Sequence, residues 1–193
     1  LENLLPFDGR LVYLPKLLKQ EEADRFFELL INEPHWKPDE VMMFGKLIVT
    51  KRKMAWYGDP GAQYRYSGID RKPLGWTPVL KALKEITEAG SGEKFNSCLL
   101  NLYHHGSESM GWHSDNEPEL KKNGTIASVS LGADRKFSLK HRKSGEKISL
   151  LLEHGSVLLM QGTTQEYWLH QLPPMKKVTD PRINLTFRQI NLP

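Results

Sequence analysis

Beyond Gly92 the chain divides into seven short stretches of strand-forming residues, over 96–103, 125–131, 136–141, 148–152, 156–160, 167–172 and 182–190. Gly, Pro and charged turns separate them. Short strands at this spacing build a sandwich or a jelly roll rather than a parallel α/β fold. Upstream, residues 10–14 read as a further short strand. Ala23, Phe26, Phe27, Leu30 and Ile31 recur at helical spacing between Gln20 and Glu33, and Pro34 and Pro38 end that helix. Thr77-Pro78 caps and opens a second helix, which carries Val79, Leu80, Leu83 and Ile86 as far as Glu88 and stops at Gly90. The expected fold class is α+β, mainly β: one domain of 193 residues in which two N-terminal helices buttress a β-roll.

The last stretch, Arg182-Ile-Asn-Leu-Thr-Phe-Arg188-Gln-Ile190, constrains function as well as fold. Side chains alternate faces along a strand, so Ile183, Leu185 and Phe187 share one face and Arg182, Asn184, Thr186 and Arg188 the other. Solvated faces usually mix Lys and Glu. Here two guanidinium groups flank an amide and a hydroxyl, and guanidinium forks suit carboxylates and phosphates. At about 3.3 Å per residue the two arginine Cα atoms lie roughly 20 Å apart. Side chains leaning inward leave a gap of roughly 6 Å, the size of a small dicarboxylate.

His113 and Asp115 point the same way in an extended segment, so an imidazole and a carboxylate can grasp one cation. His170, in a late strand, supplies a third ligand. Two histidines and a carboxylate on a β-roll match the facial triad of non-haem iron(II) sites, which leaves coordination positions open. Zinc hydrolases can use the same set, so the triad alone does not name the metal. The arginine face argues for an anionic co-substrate at the open positions. His35, His104, His105, His141 and His154 read as surface or structural residues.

Lys plus Arg (27) against Asp plus Glu (23) gives a net charge of +4, compatible with nucleic acid without requiring it. The single cysteine, Cys98, rules out an internal disulfide and suits a reducing compartment. No apolar run approaches the ~20 residues of a membrane span, and no signal peptide is visible. The expectation is an intracellular protein, cytoplasmic in a bacterium or nuclear in a eukaryote. The chain opens on Leu1 rather than Met, which points to a preceding N-terminal piece.

Four blocks in order, Asn101-Leu-Tyr103, His113-Ser-Asp115, His170 and Arg182-Ile-Asn184-Leu-Thr-Phe-Arg188, resemble the AlkB family of iron(II)/2-oxoglutarate dioxygenases, which repair alkylated nucleic acids. The resemblance runs from about Met43 to Ile190. It implies a double-stranded β-helix over 95–190, with residues 40–75 as a nucleotide-recognition lid. It also implies iron(II) at His113, Asp115 and His170. The 2-oxoglutarate would be anchored by Arg182 on its distal carboxylate and by Arg188 near its metal-bound end, with Asn101, Tyr103 and Asn184 completing the pocket. O₂ is the remaining co-substrate.

The implied reaction is demethylation of bases such as 1-methyladenine and 3-methylcytosine in DNA, with release of formaldehyde and succinate. These lesions carry the methyl on the pairing edge, so the nucleotide must be flipped or single-stranded. They are cationic, which favours aromatic faces and a nearby acid. The resemblance puts Tyr66 against the flipped base and Glu117 near its edge, with Tyr64 and Arg52 as further pocket residues. Met43 and Phe44, ahead of a strand over 46–50, match an apolar finger that fills the gap left in a duplex. Lys176 and Lys177 match a basic run on the strand backbone, to which Lys136, Lys140, Arg142, Lys143 and Lys147 add phosphate contacts. Met175 and Tyr66 depart from the pattern of the duplex-acting subset. The expected partner is alkylated DNA, preferentially duplex, met by a monomer. RNA or protein hydroxylation and a non-catalytic damaged-DNA reader are the alternatives.

Overall fold

The computed structural model describes residues 1–192 apart from Phe44, Gly45, Gln63, Ser67 and Gly68; of residues 41–48 and 63–71 it describes no side chains. The chain opens with β1 (Arg10–Leu14), α1 (Gln20–Asn32) and the hairpin β2 (Lys37–Met43) and β3 (Lys46–Gly58). A small ribbon, β4 (Tyr64–Tyr66) and β5 (Ile69–Arg71), leads to α2 (Pro78–Ser91). The roll follows: β6 (Ser97–Tyr103), β7 (Met110–His113), β8 (Ile126–Gly132), β9 (Arg135–His141), β10 (Lys147–Leu152) and β11 (Val157–Gln161). A single turn of helix, α3 (Thr164–Tyr167), runs directly into β12 (Trp168–Leu172), and β13 (Arg182–Arg188) closes the fold.

The strands form two antiparallel sheets that face each other. The larger, seven-stranded sheet has the order β1-β11-β8-β13-β6-β3-β2, and the smaller, four-stranded sheet β10-β9-β12-β7. β13 sits mid-sheet, paired on one side with β6 and on the other with β8. Its two faces separate as the alternation requires. Ile183, Leu185 and Phe187 join Leu30 of α1, Leu80 and Leu83 of α2 and Leu100 in one fully buried cluster, which is where the helices buttress the sheet. A second cluster, including Tyr103, Phe137, Leu139, Leu158 and Trp168, fills much of the space between the sheets. Arg182, Asn184, Thr186 and Arg188 face that same space and line what remains hollow.

Several boundaries differ from the sequence reading. β3 continues through Trp56 and Tyr57, where composition suggests a turn, because both side chains are buried and Lys53–Gly58 pairs with β6. The chain turns only at Asp59-Pro60-Gly61. β2 occupies a segment that the prolines mark as loop; it lies on the sheet edge, where a proline is tolerated, and its register shifts between Pro38 and Glu40. α2 runs past Gly90, packed against Leu17, to end at Gly92, whose φ of 74° is the left-handed conformation glycine supplies at a helix terminus. β7 and α3 carry no clear sequence signal, and both serve the site. The expected apolar finger falls partly outside the described residues: Phe44 is not described, and of Met43 only the backbone is, paired with Lys46.

Candidate active site

His113 ends β7 and His170 lies mid-β12, and the two are direct cross-strand partners. Asp115 follows two residues after β7. One ligand atom from each of the three lies within 4.8 Å of the others, and among the described residues this is the one such cluster. The imidazole centroids are 4.3 Å apart, and His113 Nε2 stands 3.8 Å from Asp115 Oδ1. His113 Nδ1 donates to the Gly111 carbonyl at 2.7 Å, which leaves Nε2, beside Asp115, as the ring's ligand atom. His170 stacks on Phe137 at 5.4 Å and is 5% exposed. Burial, aided by the neighbouring His113, pushes its imidazole down to about 3, so it is neutral at physiological pH. Burial works to raise Asp115, but the charge of Arg188 and the hydrogen bond it donates outweigh burial and hold the carboxyl at about 2. The donor set is therefore two imidazole nitrogens and one carboxylate oxygen, suited to a divalent cation with open positions.

The two ends of β13 approach this cluster differently. Arg188 Nη2 donates to Asp115 Oδ2 at 2.6 Å, leaving Oδ1 turned toward His113. Arg182, about 20 Å away along the strand at 3.3 Å per residue, donates from Nη2 to Ser130 Oγ at 3.0 Å. Its guanidinium lies 5.7 Å from the Tyr103 ring centroid. Its Nε is buried with no hydrogen-bond partner, and among the described residues no carboxylate pairs with it. Burial pulls it down to about 10. An enclosed guanidinium without a counter-ion is costly, and a bound anion removes that cost. The hollow thus joins a metal-grasping cluster to an unmatched cation.

These features have counterparts in known proteins. The sequence matches the 2OG-Fe(II) oxygenase superfamily over residues 10–188. It is 40% identical over 187 residues to the human DNA oxidative demethylase ALKBH2, covering 91% of this chain and 72% of that protein. The chain belongs to the AlkB family of 2OG-Fe(II) oxygenases. A second human relative, alpha-ketoglutarate-dependent dioxygenase alkB homolog 3, is 37% identical over 192 residues, covering 94% of this chain and 66% of that protein. The structure of OsALKBH1 superposes with a TM-score of 0.61 at 20% identity, over 93% of this chain and 97% of that one, which shows a shared fold.

As an AlkB-family oxygenase the protein uses iron(II), 2-oxoglutarate and O₂. The residues present fit these groups. The triad offers the donor types iron(II) takes, and Arg182, which no carboxylate pairs with among the described residues, lines the hollow where a distal carboxylate would meet it. Asn101 and Tyr103 line the hollow with Arg182. Asn184 lines it too, yet its amide is engaged within the sheet, donating to Ser128 Oγ and the Val129 carbonyl and accepting from Thr186 Oγ1. Asn184 therefore stiffens the pocket floor.

Glu117 lines a cavity of about 330 Å³ that shares Asp115 and Arg188 with the hollow around the metal cluster. Its segment is tied to the chain end by a Leu120–Ile190 bridge and by Lys121 N–H to the Gln189 carbonyl at 2.9 Å. Arg52 is enclosed: it forms a buried ion pair with Asp39 of β2 and donates to the Ser109 carbonyl at 3.3 Å. It braces the β2–β3 hairpin against the loop that leads to β7. Tyr64 and Tyr66 form β4, and their side chains lie outside the described structure. Lys176 and Lys177 are exposed on a loop docked against Gly106, where Met175 N–H donates to the Gly106 carbonyl at 2.7 Å. A Cβ at position 106 would meet the Met175 oxygen at 2.0 Å, so only glycine permits this seat. Met175 itself packs down, its Sδ accepting from Lys136 N–H at 3.0 Å.

Sequence reasoning missed Arg135. It is 1% exposed, and its Nη2 holds the carbonyls of Gly106, Glu108 and Pro173 while its guanidinium lies 5.7 Å from the Tyr103 ring, as that of Arg182 does. A lone arginine at the start of a strand carries no signal of such burial.

Proposed function

We propose that this oxygenase demethylates N-alkylated bases such as 1-methyladenine and 3-methylcytosine in DNA, in keeping with the name of its relative, the human DNA oxidative demethylase ALKBH2. The observation that carries the reading is the convergence, in one hollow, of the triad and the unmatched Arg182 beside the cavity lined by Glu117. The chemistry supplied when iron(II), 2-oxoglutarate and O₂ are bound is hydroxylation of the N-methyl carbon, with succinate and CO₂ as co-products and formaldehyde leaving from the hydroxymethyl base.

The chain's own residues position and enclose. His113, Asp115 and His170 hold the metal, and Arg188 keeps Asp115 ionised and aimed. Arg182 takes the distal carboxylate of the keto acid, with Tyr103 covering its guanidinium. The target base, flipped out of the stack, enters from the lid side. Glu117 faces its positive charge, and Tyr64 and Tyr66 offer aromatic faces for stacking. Arg52 sets the β2–β3 hairpin, Met43 and Phe44 fill the gap left by the flipped base, and Lys176 and Lys177 contact backbone phosphates. Together these favour duplex DNA, bound by a single copy of the chain.

Release of formaldehyde from a 1-methyladenine oligonucleotide, dependent on both iron(II) and 2-oxoglutarate, is the expected result. No release, with succinate formation stimulated instead by a methylated RNA or a peptide, would overturn the DNA reading. Phe44→Ala is expected to slow repair of duplex several-fold more than repair of the same lesion in single-stranded DNA. Equal losses on the two substrates would remove the finger.

A further inference from the structure

His113 and His170 are fixed by the β7–β12 ladder, whereas Asp115 lies beyond the end of β7, where no ladder bond reaches it. We infer that Gln165 is the positioning residue that holds Asp115 in the metal centre. This rests on the reading of His113, Asp115 and His170 as the iron site.

Gln165 belongs to α3, and its side chain is 8% exposed. Its Oε1 accepts from Asp115 N–H at 2.9 Å, and its Nε2 donates to Met160 Sδ at 3.4 Å. A peptide N–H can only donate and a thioether can only accept, so the two neighbours fix which end of the amide faces which. Asp115 is thereby held at two points: its peptide by Gln165 and its Oδ2 by Arg188. The remaining oxygen, Oδ1, is left facing His113.

α3 is itself anchored. Thr164 Oγ1 accepts from Arg10 N–H at 3.0 Å and donates to the Gln161 carbonyl at 2.6 Å. Gly9 lies so close to it that a Cβ there would meet Thr164 Oγ1 at 2.6 Å. The metal carboxylate thus takes its position from α3 and, through it, from β1, by contacts additional to the β7–β12 ladder that sets the two histidines. Removal of the Gln165 acceptor leaves the Asp115 N–H buried and unsatisfied and frees the peptide to rotate.

The test is an anaerobic Co(II) titration of the full chain in the presence of 2-oxoglutarate, following affinity and the visible d–d spectrum. Gln165→Leu is expected to weaken Co(II) binding at least tenfold and to change the spectrum, while the metal-free variant still unfolds cooperatively. Gln165→Glu, which keeps an acceptor at the same reach, is expected to recover most of the affinity. Wild-type affinity and spectrum in the leucine variant would overturn the assignment. So would a loss that glutamate does not recover, since the side chain would then act through its N–H or its bulk. His113→Ala separates this from the underlying reading: undiminished Co(II) binding there would remove the iron site, and the role of Gln165 with it.

Discussion

The two arginines of β13 are equivalent in the sequence pattern, on one face of one strand, yet their surroundings are opposite. Arg188 meets the carboxylate of Asp115 at 2.6 Å. Arg182, 2% exposed, meets a serine hydroxyl and the face of a tyrosine and, among the described residues, no carboxylate. A buried charge with its partner in place belongs to the resting fold; one without a partner awaits a ligand. On the function proposed above, one end of the strand serves the metal and the other serves the keto acid.

Arg188→Met should break this comparison most severely. It leaves Asp115 buried beside two histidines without its principal counter-charge, and loss of about 3–5 kcal/mol is expected for the metal-free protein in denaturant titrations. A loss below ~1 kcal/mol would mean that the pair contributes little to the fold. Arg182→Met should behave differently. The KM for 2-oxoglutarate is expected to rise about 30-fold or more, while stability without ligand stays level or increases, because an uncompensated charge has been replaced by an apolar chain. 2-Oxoglutarate should then raise the Tm of wild type and not that of the variant. Equal destabilisation by both substitutions would erase the distinction between the two ends.

A third buried charge sharpens the scale. Glu88 is 7% exposed and accepts from Lys84, Lys94 and the Phe95 N–H. Burial alone would raise its carboxyl, but these partners outweigh burial and hold it at about 2, against an ordinary 4.5. A depressed acid contributes stability that is present above pH ~4.5 and is lost as pH falls toward ~2. Allowing for the exposure of Lys94, that contribution is about 2 kcal/mol. Glu88→Gln should abolish this part of the acid-side slope in pH-dependent unfolding; an unchanged slope would show that the pairings matter little.

What could be read from sequence follows a physical divide. The faces of β13 were legible because strand alternation is strict and its two residue sets are chemically distinct. The helices were legible because their apolar stripes repeat over three turns. His113 and Asp115 were partly legible, since spacing aligns them but only the fold brings His170 alongside. Arg52 was not legible as a brace: its partner Asp39 lies on the neighbouring strand, and no local pattern announces the ion pair. Gln165 and Arg135 were invisible because each acts on backbone groups 50 and 27–38 residues away in the chain, through contacts that leave no periodic trace.

The most direct test of the account is a crystal of the protein soaked anaerobically with iron(II) and 2-oxoglutarate. The expected density is one metal bound by His113, Asp115 and His170, with the keto acid extending from it so that its far carboxylate meets Arg182. A keto acid lying elsewhere, or a metal bound without all three ligands while Arg182 stays unmatched, would contradict it.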